Sequence, residues 1–173
     1  LTNDPAHDVE PAVSPDGTRI AFASDRSGAY RIYTMNIDGS DVTGLETFSG
    51  SGVPLAGREP AWSSDGARLA VATSAGLRVV TFDGNAPTVA TSDSADTSPS
   101  WDRNGTRLYF ERPLLDGNAS VEQVVVFEVD LSVEPSVETL LQSGGSDVFY
   151  GDPAAKPDGP GLAYTYDDLE PRG

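Results

Sequence analysis

A seven-residue frame that opens on Pro and closes on Gly recurs four times along the chain: PAVSPDG from Pro11, PAWSSDG from Pro60, PSWDRNG from Pro99 and PAAKPDG from Pro153. The first three copies continue as TRIAF, ARLAV and TRLYF, so the likeness extends past the turn into the next apolar run. This constrains the fold more than any other feature of the chain. A unit returning every ~40 to ~55 residues is too small to bury its own hydrophobic face and has to stack on further copies of itself.

Within each copy, Asp-Gly or Asn-Gly lies between two short apolar runs and supplies the positive backbone dihedrals of a tight hairpin turn. Residues 20–23 and 69–72 are apolar in succession. A half-exposed strand would alternate, so the pattern predicts strands buried on both faces. Third strands follow at 31–37, 77–82 and 124–129, and weaker fourth strands at 42–45, 88–91 and 137–141. The prediction is an all-β chain of β-propeller blades, each of four antiparallel strands. It forms a single partial propeller with blades at about 11–47, 60–91, 99–141 and 153–166, the last incomplete because only its second strand, 162–166, follows the turn.

That amounts to about three and a half blades, fewer than a closed ring needs. Two arrangements stay open. The chain is a piece of a larger propeller, or it closes through a second copy as a homo-oligomer.

At these residues the chain resembles the Pro-Asp repeat of TolB-like propellers, whose blades carry Pro-x-Trp-Ser-Pro-Asp-Gly followed by Ile-Ala-Phe. The likeness is greatest over residues 1–45, including SDRSG from Ser24 and IYTMNIDG from Ile32. The third copy departs with Asp102-Arg103-Asn104, and the fourth lacks Trp. The resemblance implies a non-catalytic scaffold that contacts partner proteins through its channel mouth in a bacterial envelope complex, periplasmic or extracellular. It also implies an alternative, the gating propeller of a prolyl-oligopeptidase-type serine peptidase whose hydrolase domain lies outside this chain.

The chain's 27 acidic and 11 basic residues give a formal net charge of −16. Such a surface repels phosphate backbones, which argues against nucleic acid and leaves a protein or basic peptide as the partner. No run of apolar residues is long enough to span a membrane, and Leu1-Thr2-Asn3-Asp4 carries no signal-peptide pattern. With no Cys, there is no disulfide or thiolate chemistry.

In a propeller, the segments entering each innermost strand line one end of the channel. Here these are 3–10, 48–59, 92–98 and 142–152, and loops on a rigid scaffold are where binding residues gather. The candidate binding residues are therefore Asp4, His7, Asp8, Glu10, Phe48, Arg58, Glu59, Asp93, Asp96, Asp147, Phe149, Tyr150 and Asp152, expected to form an acidic funnel. No catalytic residue is assigned, since there is no G-x-S-x-G elbow and the lone His7 reads as a surface loop residue. No metal or cofactor is assigned, because the Asp4, Asp8, Glu10 spacing matches no calcium loop.

Trp62 and Trp101 hold equivalent places in two copies, which predicts packing between neighbouring blades. Insertions break the repeat at 49–58, expected beside the channel, and at 113–121, expected on the opposite face. Leu114 and Leu115 in the second insertion are either an exposed contact pair or folded back onto the blade.

Overall fold

The computed structural model of the protein describes residues 2–46, 54–83, 85–116, 118, 120–133, 137–142, 154–155 and 162–163. Three four-stranded antiparallel sheets follow one another in chain order, joined by a two-stranded pair. The first sheet contains β1 (Asp8–Val13), β2 (Arg19–Ser24), β3 (Arg31–Asn36) and β4 (Thr43–Gly44). The second contains β5 (Arg58–Trp62), β6 (Arg68–Thr73), β7 (Gly76–Thr81) and β8 (Thr88–Val89). The third contains β9 (Thr97–Trp101), β10 (Arg107–Leu115), β11 (Val121–Asp130) and β12 (Val137–Gln142). The pair is β13 (Ala154–Ala155) and β14 (Leu162–Ala163).

The first strands of successive units touch one another, β1 against β5, β5 against β9 and β9 against β13. They are therefore the innermost strands of radially arranged sheets, and the chain is an incomplete β-propeller as the repeat predicts.

The succession of apolar residues in β6 has a direct cause. Alternate side chains of a strand point to opposite faces. Ala21, Ala23 and Ile32 of the first sheet pack with Leu69, Val71 and Val80 of the second. Ala70, Leu77 and Val79 pack the other way, against Trp101, Leu108, Phe110 and Val129 of the third. Each apolar β6 residue thus has a neighbouring sheet to meet, whichever way it points.

Polar contacts repeat with the same period. Trp62 Nε1 donates to the Ala12 carbonyl at 3.0 Å, and Trp101 Nε1 to the Ala61 carbonyl at 3.0 Å. The guanidinium of Arg19 lies 4.6 Å from the Trp62 ring centre and that of Arg68 lies 4.7 Å from Trp101. The same two arginines donate to the carbonyls of Gly66 and Gly105, at 3.2 and 2.6 Å. Each sheet is therefore tied to the next by an indole, a stacked arginine and two hydrogen bonds to backbone. Ala155 stands where a fourth sheet would carry the Trp, and Arg107 turns instead to Glu128 and Asp130 of its own sheet.

The hairpin turns differ in detail from the tight two-residue form. Only Gly takes positive φ, at 70°, 68° and 69° for Gly17, Gly66 and Gly105. Ser14 N–H donates to the Arg19 carbonyl and Gly17 N–H to the Ser14 carbonyl, so four residues lie between the paired ends. Asp16 organises the loop, accepting from the Ser14 hydroxyl at 2.6 Å, from Thr18 N–H at 3.0 Å and from the Thr18 hydroxyl at 2.9 Å. In the third copy Asp102 replaces the Ser and takes over both tasks, accepting from the backbone N–H groups of Thr106 and Arg107 at 2.7 and 2.9 Å. The departure of that copy from the repeat is thus compensated within the turn.

These bonds carry a pH dependence. The Ser14 hydroxyl, then the Thr18 N–H and hydroxyl, hold the Asp16 carboxyl at about 2, below its ordinary 3.8. Asp65 shifts the same way through the Ser63 hydroxyl and Ala67 N–H. A carboxylate whose folded-state value is depressed contributes stability that is present above its unfolded value and is lost as pH falls through the folded one. The thermal midpoint is expected to drop between about pH 4 and about pH 2, and Asp16→Asn to flatten that part of the curve. Circular dichroism melts across a pH series measure both.

Two expectations about the third sheet are corrected. The insertion at 113–121 is not a loop added to the blade, because β10 and β11 continue pairing through Pro113↔Val124 and Leu114↔Gln123 to Leu115↔Val121. They form an arm closed by Asp116, whose carboxylate accepts from Asn118 N–H and Ser120 N–H. Nor does the arm lie opposite the channel entrance. Glu111 of β10 pairs with Thr97, the first residue of β9, so the arm stands at the end where β9 begins. In an antiparallel meander, the turn from second to third strand returns to the end where the first strand started. Leu114 and Leu115 are exposed, at 40% and 57%.

Candidate functional site

The mouth is built from the starts of β1, β5 and β9. Each of these strands carries a bulge at the residue before the repeat's Pro, where Glu10, Glu59 and Ser98 adopt φ of 54°, 52° and 53°. The ladder slips at the same place in all three sheets. A left-handed non-Gly residue is uncommon, and a bulge re-aims the side chain and exposes the local N–H. Neighbouring sheets satisfy those N–H groups in relay. Glu10 Oε2 accepts from Glu59 N–H at 2.9 Å, and Glu59 Oε2 accepts from Ser98 N–H at 2.7 Å. In the third sheet the position is Ser98, whose side chain carries no carboxylate to extend the relay.

Most charges at the mouth are paired. Arg58 donates to Glu10 Oε1 through Nε at 3.0 Å and Nη2 at 2.5 Å while lying 4.5 Å from the Tyr30 ring centre. The Glu10 carboxylate raises the Arg58 guanidinium above its ordinary value. Asp8, three residues before the first Pro, accepts from Arg26 Nη2 on both carboxylate oxygens, at 3.0 and 3.1 Å. Burial pushes the Asp8 carboxyl up, but hydrogen bonds from Ser24, Thr2 and Arg26 outweigh it and hold it below the usual range.

Asp96, three residues before the third Pro, again meets an arginine, here through two nitrogens. Its carboxylate takes Arg112 Nε at 2.6 Å and Nη2 at 2.9 Å and also accepts from the buried Thr91 hydroxyl. Arg112 reaches Glu138 at 2.9 Å and Asp93 at 3.4 Å, and these carboxylates push its guanidinium well above the ordinary value. Arg26 covers Tyr33 and Phe22, and Arg112 covers Phe127 and Phe110, with matching distances of 4.7 and 5.4 Å.

The other candidates are peripheral or outside the described residues. His7 has 80% of its side chain exposed; Nδ1 lies 3.2 Å from Asp25 and its N–H donates to the same carboxylate, tying down a surface loop. Asp4 is exposed and accepts from Ala6 N–H, and Asp93 accepts from Ala95 N–H. Phe48, Asp147, Phe149, Tyr150 and Asp152 lie outside the described residues. Among the described residues, no three acidic or imidazole groups come together as a metal cage.

Sequence reasoning missed Arg26 and Arg112. They stand nine and seven residues after the turn Gly, so the repeat frame does not align them; the signal available was the recurrence of Asp three before the Pro.

Arg58, Glu59 and Asp96 meet at one cleft of about 280 Å³, with Tyr30, Thr73 and Ser94 among its walls. Removing the bulge cap beside it is expected to weaken the fold. Glu59→Ala leaves Ser98 N–H without its acceptor and should cost about 1–2 kcal/mol in urea unfolding, while Glu59→Gln, which keeps an acceptor oxygen, should cost less.

Comparisons with known proteins agree with this architecture. Residues 1–126 match the family model of the TolB beta propeller domain. A stretch of 158 residues, 91% of the chain, is 29% identical to a Bacillus subtilis (strain 168) protein named as the uncharacterized peptidase YuxL, of which it spans 21%. A shorter stretch of 42 residues, 24% of the chain, is 48% identical to the Tol-Pal system protein TolB of Bordetella pertussis and spans 10% of it. The solved structure of TolB from Acinetobacter baumannii superposes with a TM-score of 0.62 at 25% identity, over 83% of this chain and 35% of that one. The chain therefore spans only a minor part of these relatives.

Proposed function

Since the chain belongs to the TolB β-propeller family, we propose that it works as a non-catalytic protein-binding scaffold, contacting a protein or basic peptide through its channel mouth in a bacterial envelope complex outside the cytoplasm. The observation that carries this reading is the family match over residues 1–126, joined to a mouth whose loops are held in place by ion pairs and bulge caps. Preorganised loops bind without a large ordering penalty. The net charge of −16 adds long-range attraction for a cationic partner surface. The blades, at about 11–47, 60–91, 99–141 and 153–166, are read as consecutive segments of one ring.

The test uses a labelled Lys-rich peptide. Its affinity is expected to fall at least about tenfold from low to high salt. Amide shift changes should gather at residues 2–10, 54–60 and 92–98. Shifts concentrated at the hairpin turns around Gly17, Gly66 and Gly105 would overturn the reading.

A second reading has its own support in the 29% identity to the YuxL peptidase over 91% of the chain. There the same propeller gates a serine peptidase whose hydrolase domain lies elsewhere in the parent protein. That reading requires a G-x-S-x-G segment in the flanking coding sequence, and reading that sequence decides between the two.

A further inference from the structure

Asp or Asn precedes Gly at seven places in the chain, six times as Asp and once as Asn, at Asn104-Gly105. At such a pair the Gly nitrogen can reach the side chain before it, because Gly has no Cβ to keep the two apart. In the described Asp copies that side chain is engaged. Asp16 and Asp65 accept from the N–H groups of Thr18 and Ala67, Asp38 and Asp83 from those of Ser40 and Asn85, and Asp116 from those of Asn118 and Ser120. The hydroxyls of Ser14, Ser63, Ser40 and Thr81, followed by those N–H groups, hold the Asp16 carboxyl at about 2 and the Asp65, Asp38 and Asp83 carboxyls below their usual range. An ionised, hydrogen-bonded carboxylate is a poor electrophile.

Asn104 differs on each count. It stands where the first two turns have Asp16 and Asp65, but in this turn Asp102 already takes the Thr106 and Arg107 N–H groups. The Asn104 amide is exposed and makes no hydrogen bond among the described residues. The turn also holds the following nitrogen least tightly. Gly105 N–H lies 3.1 Å from the Asp102 carbonyl, against 2.8 Å for the matching bonds of Gly17 and Gly66.

We propose that Asn104 is a deamidation site whose conversion loosens the seam between the second and third sheets. Once base removes its proton, Gly105 N bonds to Asn104 Cγ, the bond from Cγ to the side-chain nitrogen breaks, and ammonia leaves. Water then opens the cyclic imide at either carbonyl, giving aspartate or isoaspartate. The isoaspartate product routes the main chain through Cγ and lengthens it by one methylene between Arg103 and Gly105. Those two residues supply carbonyls to the seam. That of Arg103 accepts from the Ser64 hydroxyl at 2.7 Å, and that of Gly105 from Arg68 Nη2 at 2.6 Å. A longer main chain between the two carbonyls moves at least one of them off its partner. The aspartate product leaves the main chain as it was.

The experiment ages the native chain at mildly alkaline pH and follows it by peptide mapping with mass spectrometry, beside a sample kept unfolded in guanidinium chloride. Asn104 is expected to gain the mass of an amide-to-acid change at least about tenfold faster than Asn3, Asn85 and Asn118, and at a native rate within about tenfold of the unfolded one. The isoaspartate fraction, separated by chromatography, should unfold at lower urea than the parent chain. Asn104→Asp should keep the parent midpoint, and Asn104→Ser should not age at this turn. Conversion confined to the unfolded sample would show that the turn protects the amide, and overturns the site. An isoaspartate fraction that unfolds with the parent chain overturns the effect on the seam. A matching loss in Asn104→Asp would trace the effect to the added charge and overturn the main-chain account.

Discussion

Trp101→Ala is expected to lower the unfolding free energy by about 3–5 kcal/mol. The indole is 6% exposed and sits among Ala70, Leu77, Leu108 and Phe110, at the seam of the second and third sheets. Its removal opens a cavity that strands paired on both sides cannot easily close. It also strips the Ala61 carbonyl of its donor and Arg68 of the ring it covers. Trp101→Phe keeps the apolar contact and loses the hydrogen bond, so it should recover more than half of the loss. Trp62→Ala is the internal comparison. Its ring is only half-buried and is shared by Arg19 and the exposed Phe82, so the same deletion should cost less. Urea unfolding followed by circular dichroism measures all three. A loss below about 1 kcal/mol for Trp101→Ala would mean that the seam is not a packed core.

Arg112→Met is expected to cost about 3–5 kcal/mol, because it leaves a carboxylate inside the protein without its counter-charge. The Asp96 side chain has 0% exposure, and apart from the Thr91 hydroxyl its hydrogen bonds come from that guanidinium. Removing both charges should be far milder than removing one. In the double variant Asp96→Leu with Arg112→Met, apolar side chains join Phe110 and Phe127, and buried ion pairs replaced in this way are often nearly neutral. The measured quantity is the coupling energy of the double-mutant cycle from urea unfolding. Additive losses would show that the two side chains do not act as a pair.

These two sites differ in how far the sequence exposes them. Trp101 and Trp62 fall at the same place in the repeated frame, and repetition at a fixed register already implies a shared structural role. The pair of Asp96 and Arg112 is not legible in that way. The sequence places Asp96 in an acidic funnel and marks Arg112 by no pattern. Their meeting depends on β10 folding back beside the start of β9, and on a strand extension that looked like an inserted loop. Glu10 and Glu59 show the same limit. Both lie at the start of an innermost strand, and only the folded chain shows their carboxylates capping the bulge of the next sheet.

The sequence by itself determined that the chain is built of hairpin units with strands buried on both faces. Turn chemistry and apolar succession are properties of adjacent residues, and Gly17, Gly66 and Gly105 announce them directly. Only the tertiary structure decided which charges at the mouth are paired. Those outcomes depend on contacts between residues such as Glu10 and Arg58, or Glu59 and Ser98, that are far apart along the chain and brought together by the stacking of whole sheets. An ion pair costs or stabilises according to distance and burial, and neither quantity exists until the neighbouring sheet is in place.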